Sequence, residues 1–99
     1  MEPLKPLAEF FLAIRSDFRI SKTHIAIYSS ILYYWQTRDY PSPIKVFSHE
    51  IMSIAKIEAC STYHKCLKEL DSFGYIRYVP SFKKNDASCV YLVLNEGDG

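Results

Sequence analysis

Apolar residues recur every three or four positions through the first third of the chain, and this spacing predicts two helices. The first is predicted over residues 4–18, where one side of the helix carries Leu7, Phe10, Phe11, Ile14 and Phe18. The second is predicted from Lys22 to Arg38, with Ser21 as its N-cap. Its apolar stripe consists of Ile25, Tyr28, Ile31, Leu32 and Trp35.

The second helix is apolar on more than one side, because Ile27, Tyr33 and Tyr34 lie off its main stripe. Two interpretations stay open at this point. The helix is central in the fold, which we favour, or Tyr33, Tyr34 and Trp35, together with the aromatic residues of the first helix, form an interface with a second copy.

The middle of the chain predicts a turn, a short strand and two helices. The prolines in Tyr40–Pro43 stop the second helix, and residues 44–47 follow as an extended piece. Ser48 is predicted to cap a short helix that has Glu50 in its first turn. After a break at residues 57–59, a longer helix runs to Phe73 and is closed by Gly74.

The last third predicts a β-hairpin. Residues 75–82 and 88–94 have the composition of strands, and the polar residues 83–87 join them. Pro80 makes part of the first of these runs an edge strand or an irregular end. The sequence therefore predicts a mainly α, α+β fold with one domain over residues 1–94 and a frayed tail over 95–99.

The order helix, helix, strand, helix, turn, helix, hairpin resembles that of the winged helix-turn-helix family. The amino-acid sequence of residues 48–57 and 61–76 is also similar to the helix-turn-helix sequences of this family. The family's pattern T-hydrophobic-x-x-x-L-x-x-L-x-x-x-G-hydrophobic-I is matched from Thr62 to Ile76. The chain also resembles short winged-helix proteins of Bacteroidetes genomes and mobile elements. One departure is the turn at residues 56–60, which lacks the family's frequent glycine.

With Tyr63, Leu67 and Leu70 turned inward, helical geometry places Ser61, Lys65, Lys68 and Ser72 on the opposite face. The resemblance implies sequence-specific binding of double-stranded DNA, in which that face enters the major groove. Base-edge contacts are then expected from Ser61, Thr62, His64 and Lys65, and a phosphate contact from Lys68. Further DNA contacts are expected from Lys83, Lys84 and Asn85 at the wing tip and from Lys45 and Ser48 on the other side.

The small net charge of the chain bears on the expected DNA binding. The chain has 12 Lys and Arg against 11 Asp and Glu, a net charge of +1. Residues 44–94 carry seven positive and five negative groups, whereas residues 1–43 carry five and four. A surplus of two is a weak footprint for DNA, and a single copy would make few phosphate contacts. We therefore expect a homodimer that presents two such helices.

Composition excludes several other classes. Hydrophobic residues form 48% of the chain, which indicates a packed globule, and no apolar run is long enough to cross a membrane. The odd set Cys60, Cys66 and Cys89, with no secretion signal, favours a reduced, cytoplasmic setting. The spacing of Cys60, His64 and Cys66 does not match known zinc modules. No catalytic constellation, metal or cofactor is predicted.

Two rival functions remain open. A winged-helix module for protein contacts, within a replication or conjugation complex, would use aromatic anchors drawn from Tyr28, Tyr33, Tyr34, Trp35 and Tyr40. A ligand- or redox-sensing regulator would need an exposed, low-pKa thiol at Cys60 or Cys66.

Overall fold

A computed structural model describes residues 5–81 and 87–93. Within these residues the fold is α+β and mainly helical, with four helices and one three-stranded antiparallel sheet. The elements in chain order are α1 (Lys5–Ile14), α2 (Lys22–Thr37), β1 (Ile44–Val46), α3 (Ser48–Ala55), α4 (Cys60–Ser72), β2 (Ile76–Val79) and β3 (Ser88–Leu92).

Helix α2 is the centre of the structure and packs against α1, α3 and α4. Ile27 and Ile31 are completely buried, and the ring of Tyr28 stacks on Phe10 of α1 with centroids 3.9 Å apart. The predicted cap is confirmed, since the Ser21 hydroxyl accepts the His24 amide and the Ser21 amide donates to His24 Nδ1. Because both sides of α2 are covered, its broad apolar surface is explained by burial.

The three aromatic residues considered for a subunit interface have different surroundings. Tyr34 and Trp35 are buried, and each satisfies its polar atom inside the same chain. The Tyr34 hydroxyl donates to Glu50 Oε1 at 2.6 Å, and Trp35 Nε1 donates to the Pro41 carbonyl at 3.1 Å. Tyr33 alone is largely exposed. Tyr34 and Trp35 therefore have almost no surface left to offer a second copy.

Helix α1 ends at Ile14, four residues before the end predicted from apolar spacing. The chain turns instead, because the Asp17 carboxylate accepts the Arg19 amide at 3.1 Å and the Arg19 Nε and Nη2 atoms at 2.8 Å each. The Tyr75 hydroxyl donates to the same carboxylate at 2.6 Å. As a consequence Phe18, predicted to face inward, is 96% exposed, and Phe11 is also exposed.

The Asp17 contacts make a pH-dependent contribution to stability. Hydrogen bonds from the Arg19 side chain and the Tyr75 hydroxyl hold the pKa of the Asp17 carboxyl well below its usual range, against a smaller opposing effect of desolvation. A depressed folded-state pKa stabilises the fold fully above the unfolded-state pKa of about 4, and this contribution is lost progressively as the pH falls from that value through the lower folded-state pKa.

We therefore expect Asp17→Asn to lower the urea midpoint at neutral pH, and the difference from wild type to shrink toward about pH 3, where the unfolded carboxyl is protonated. Circular dichroism at both pH values measures this. Asp39→Asn, at an exposed carboxylate, is the control and should leave the neutral midpoint nearly unchanged. An Asp17→Asn difference of equal size at both pH values would contradict the assignment.

The junction between α3 and α4 follows the predicted break at residues 57–59, which are not helical. The prediction that Ser48 caps α3 is wrong by one residue. Phe47 is the N-cap, and its carbonyl accepts the amides of Glu50 and Ile51 at 3.0 and 3.2 Å. Lys56 follows α3 in the left-handed conformation, with φ 62° and ψ 42°. It occupies the kind of position that usually favours glycine.

The sheet has the strand order β1-β3-β2, so β2 and β1 are its edges. The predicted hairpin is confirmed, since β2 pairs antiparallel with β3 from Ile76 opposite Leu92 to Val79 opposite Cys89. Strand β2 stops at the residue before Pro80, which cannot donate to the ladder. The hairpin tip with Lys83, Lys84 and Asn85, and the tail predicted over 95–99, lie outside the described residues.

Gly74, predicted to close α4, has φ 91°, a backbone conformation that would be strained for a residue with a side chain.

Among the helices of the described residues, none combines the length and the apolarity needed to cross a lipid bilayer.

Candidate nucleic-acid interface

Helix α4 has one buried and one exposed face, as its sequence predicts. The residues that face the core are Tyr63, Cys66, Leu67 and Leu70. The exposed face carries Ser61, Thr62, Lys65, Lys68 and Ser72. Four of the five residues expected on α4 to contact DNA are therefore freely accessible to a partner, and His64, the fifth, is half-buried.

The acidic residues of α4 are turned away from this exposed face. Glu69 Oε1 lies 2.8 Å from Nε2 of the buried His24, and Asp71 Oδ2 accepts the Tyr78 amide at 3.0 Å. Each carboxylate thus faces a partner from another element. The helix as a whole has no net charge, but its exposed face presents Lys65 and Lys68 without a carboxylate of α4 between them.

His64 is held in one orientation at the edge of the same face. Its Nδ1 lies 3.0 Å from the Cys60 carbonyl, which can only accept, so Nδ1 carries the proton and donates. In the neutral ring Nε2 is then an acceptor.

A polar groove of about 380 Å³ lies beside this face. The N-terminal turn of α3 lines it with Phe47, Ser48 and His49, and α4 lines it with Tyr63 and His64. The strands and their ends complete it with Val46, Tyr78, Ser81 and Ser88. The Glu50 and Ile51 amides donate to Phe47, so the amides of Ser48 and His49 are the ones without a partner within the helix. The positive end of the helix dipole favours an anion at this point.

Tyr63 adds a second donor to the groove. The residue is 1% exposed and lines the groove. Burial raises the pKa of Tyr63, so the phenol keeps its proton and can donate it. A phosphate oxygen at the mouth of the groove would have the chemistry to accept from this hydroxyl and from the α3 amides.

The structure does not bring Lys45 to the α4 face. Ile44 and Val46 point into the core, so Lys45 points to the opposite face of the sheet. Arg77 and Tyr91 share that outer face, with the guanidinium 5.9 Å from the ring centroid. Ser48 is half-buried at the groove, in agreement with a place near α4. Lys83, Lys84 and Asn85 are not among the described residues.

Several residues of the groove were not predicted from the sequence. His49, Tyr63 and Tyr78 come from three elements, and no spacing along the chain links them.

One cluster has the donor types of a metal site. His24, Cys66 and Glu69 place one ligand atom each within 4.8 Å of one another. However, His24 Nδ1 accepts the Ser21 amide at 2.9 Å, so Nε2 carries the proton and donates to Glu69. Burial raises the pKa of the Cys66 thiol, which disfavours the thiolate that metals bind. The arrangement is explained as a hydrogen-bonded link between α2 and α4.

The cysteines considered for metal or redox chemistry are also separated. Cys60 is exposed, whereas Cys66 faces the core on the other side of α4. The Cys60 thiol lies 3.9 Å from the Met52 sulfur. Cys66 is therefore shielded from oxidants and ligands.

Comparison with protein-family models found no match, and neither curated proteins nor solved structures matched the chain.

Proposed function

We propose that the protein is a winged helix-turn-helix domain that binds double-stranded DNA in a sequence-specific manner as a homodimer. Its role would be that of a small transcriptional regulator or of an accessory factor of a mobile element. In this proposal α3 and α4 form the helix-turn-helix, α4 enters the major groove and the β2–β3 hairpin is the wing.

The observation that carries the proposal is the segregation of charge on α4. Both acidic residues of this helix face other elements, and both of its lysines face outward beside Ser61 and Thr62. Short hydroxyl, imidazole and ammonium groups on one helix face are the donors and acceptors used to contact base edges and phosphates.

The groove at the start of α3 supports the same proposal. It lies next to His64 and offers the α3 amides, the Ser48 hydroxyl and the Tyr63 phenol to an anion. With α4 in the major groove, a phosphate of the adjacent strand would be the natural occupant, and such contacts fix the register of the helix.

The protein-contact alternative has less support. Of its five proposed anchors, Tyr28, Tyr34 and Trp35 are buried, which leaves Tyr33 and Tyr40 as the exposed ones. The sensor alternative keeps an exposed thiol at Cys60 but not at Cys66, which is buried.

The experiment that tests the proposal is selection from a random duplex library with the purified protein. We expect one enriched sequence, and a palindrome if the protein binds as a symmetric dimer. Failure to enrich any sequence would overturn the proposal.

The enriched duplex then allows a test of Lys68. We expect Lys68→Ala to weaken binding to all duplexes alike and to reduce the slope of log affinity against log salt by about 1, because one phosphate contact is lost. Mobility-shift titrations over a range of salt measure this slope. Lys22→Ala, at an exposed lysine of α2 outside the proposed interface, should leave it unchanged. Equal slopes for wild type and Lys68→Ala would contradict the role of Lys68.

A further inference from the structure

The outer face of the sheet combines positive charge with an aromatic ring. Lys45 on β1 lies opposite Cys89 on β3, and Arg77 on β2 lies opposite Tyr91 on β3. Cross-strand partners share a face of the sheet, and so do residues two positions apart on one strand. All four side chains therefore lie on one face, opposite the buried Val90. The three strands contain no Asp or Glu.

The two cations of this outer face are exposed. Within the described residues the ion pairs involve Arg19, His24 and Arg38, so neither Lys45 nor Arg77 is neutralised by a carboxylate there. Their Cα atoms are roughly 10–12 Å apart, two strand spacings across the sheet and two residues along it. Two cations on a face whose strands carry no carboxylate attract a polyanion.

Tyr91 provides an aromatic surface between these cations. It lies on the central strand β3 and is 38% exposed, and the Arg77 guanidinium is 5.9 Å from the centroid of its ring. A phenol ring and a guanidinium are both planar groups on which an unstacked nucleobase packs. A duplex keeps its bases paired and stacked, so only a single strand can offer its bases to this face.

A groove of about 210 Å³ adjoins Tyr91 at the start of β1. Trp35, Tyr40 and Pro41 also line it, and none of its lining residues is charged. The rings of Trp35 and Tyr40 meet edge to face with centroids 5.0 Å apart, and Trp35 Nε1 donates to the Pro41 carbonyl at 3.1 Å. An uncharged groove with aromatic walls suits a planar base rather than a phosphate.

We infer that the outer face of the sheet binds single-stranded nucleic acid. Lys45 and Arg77 contact phosphates, Tyr91 stacks on one base, and the groove beside Tyr91 takes a neighbouring base. The face is complementary to such a strand in two respects, because its cations match the phosphates and its aromatic groups match the bases. An acidic peptide would match only the cations. The helices pack on the other face of the sheet, so this site is separate from the proposed duplex contacts of α4 and does not depend on them.

Fluorescence anisotropy with labelled oligo(dT) and oligo(rU) of equal length tests the inference, and the two affinities distinguish DNA from RNA. We expect Tyr91→Ala to weaken binding roughly 5- to 150-fold, the effect of removing one stacking ring. Lys45→Gln should lower the slope of log affinity against log salt by about 0.7, the value for one phosphate contact with a single strand.

The matched controls lie on α2. Tyr33→Ala removes an exposed aromatic ring and Lys22→Gln an exposed cation, and both variants should bind as wild type does. Circular dichroism should be unchanged in all four variants. Lys45 is exposed on an edge strand, so Lys45→Gln reports on binding even if Tyr91→Ala disturbs the sheet.

The result is independent of the duplex selection. Failure of wild type to bind either oligonucleotide at low salt would overturn the inference, even if a duplex were enriched. Binding that Tyr91→Ala and Lys45→Gln leave unchanged would also overturn it. Competition by poly-L-glutamate as strong as that by unlabelled oligo(dT) would overturn it in favour of an acidic protein. Binding that both variants weaken and both controls retain would support it, even if no duplex were enriched.

Discussion

Replacing Leu67 with alanine is expected to lower the free energy of unfolding by about 2–5 kcal/mol. Leu67 is completely buried on the inner face of α4, within the core cluster that includes Ile27, Ile31 and Ile76. The loss combines the transfer of the removed methyl groups with the cavity left behind. A domain of this size has a total stability of only about 5–15 kcal/mol, so the variant would lose a substantial part of it.

Urea unfolding followed by circular dichroism measures this effect, and the next residue along the helix provides the control. Lys68 is exposed, and Lys68→Ala should change the stability by no more than about 0.5 kcal/mol. If both variants had the wild-type midpoint, α4 would not be held through Leu67. Because the same helix carries the proposed DNA contacts, a loosened α4 should also bind DNA less tightly, whereas Lys68→Ala changes binding alone.

The second large effect is expected from Lys65→Ala, which we expect to cost about 1–3 kcal/mol of binding free energy, or roughly 5- to 150-fold, with the preferred duplex. Lys65 is exposed one turn into α4, within the N-terminal half of the helix that a helix-turn-helix directs at base edges. A lost base contact should also relax the preference at one position of the site, whereas a lost phosphate contact weakens all duplexes equally.

Competition between the selected duplex and single-base variants of it tests this distinction. We expect Lys65→Ala to bind the preferred duplex and one of its variants equally, and Lys22→Ala to retain the wild-type order. If Lys65→Ala weakened every duplex by the same factor, Lys65 would contact phosphate and the base contacts would have to come from other residues of α4. If it changed nothing, the exposed face of α4 would not be the interface.

The sequence predicted the elements whose signals are local. The cap at Ser21, the break at residues 57–59, the end of α4 at Gly74 and the hairpin each depend on residues within a few positions of one another. The two faces of α4 were predicted as well, because a helix with Tyr63, Leu67 and Leu70 on one side can turn only its other residues to solvent.

Features that depend on distant contacts were not predicted. The apolar spacing predicted a helix as far as Phe18. The chain turns there instead, and the Asp17 carboxylate accepts a hydrogen bond from the hydroxyl of Tyr75, 58 positions away. The link between His24 and Glu69, 45 positions apart, likewise has no signal along the chain. The broad apolar surface of α2 was compatible with a place in the core or with a subunit interface. The positions of α1, α3 and α4 around this helix decide for the core.

Lys56 gives the turn between α3 and α4 a role in charge as well as in shape. Its left-handed backbone holds roughly 1–2 kcal/mol of conformational energy that glycine would not incur. Residues 44–94 exceed neutrality by two positive charges, and Lys56 supplies one of their seven cations. A glycine at this position would relax the backbone but would halve that surplus. Lys56 therefore makes the turn less stable than glycine would, and at the same time it increases the domain's electrostatic attraction for a polyanion.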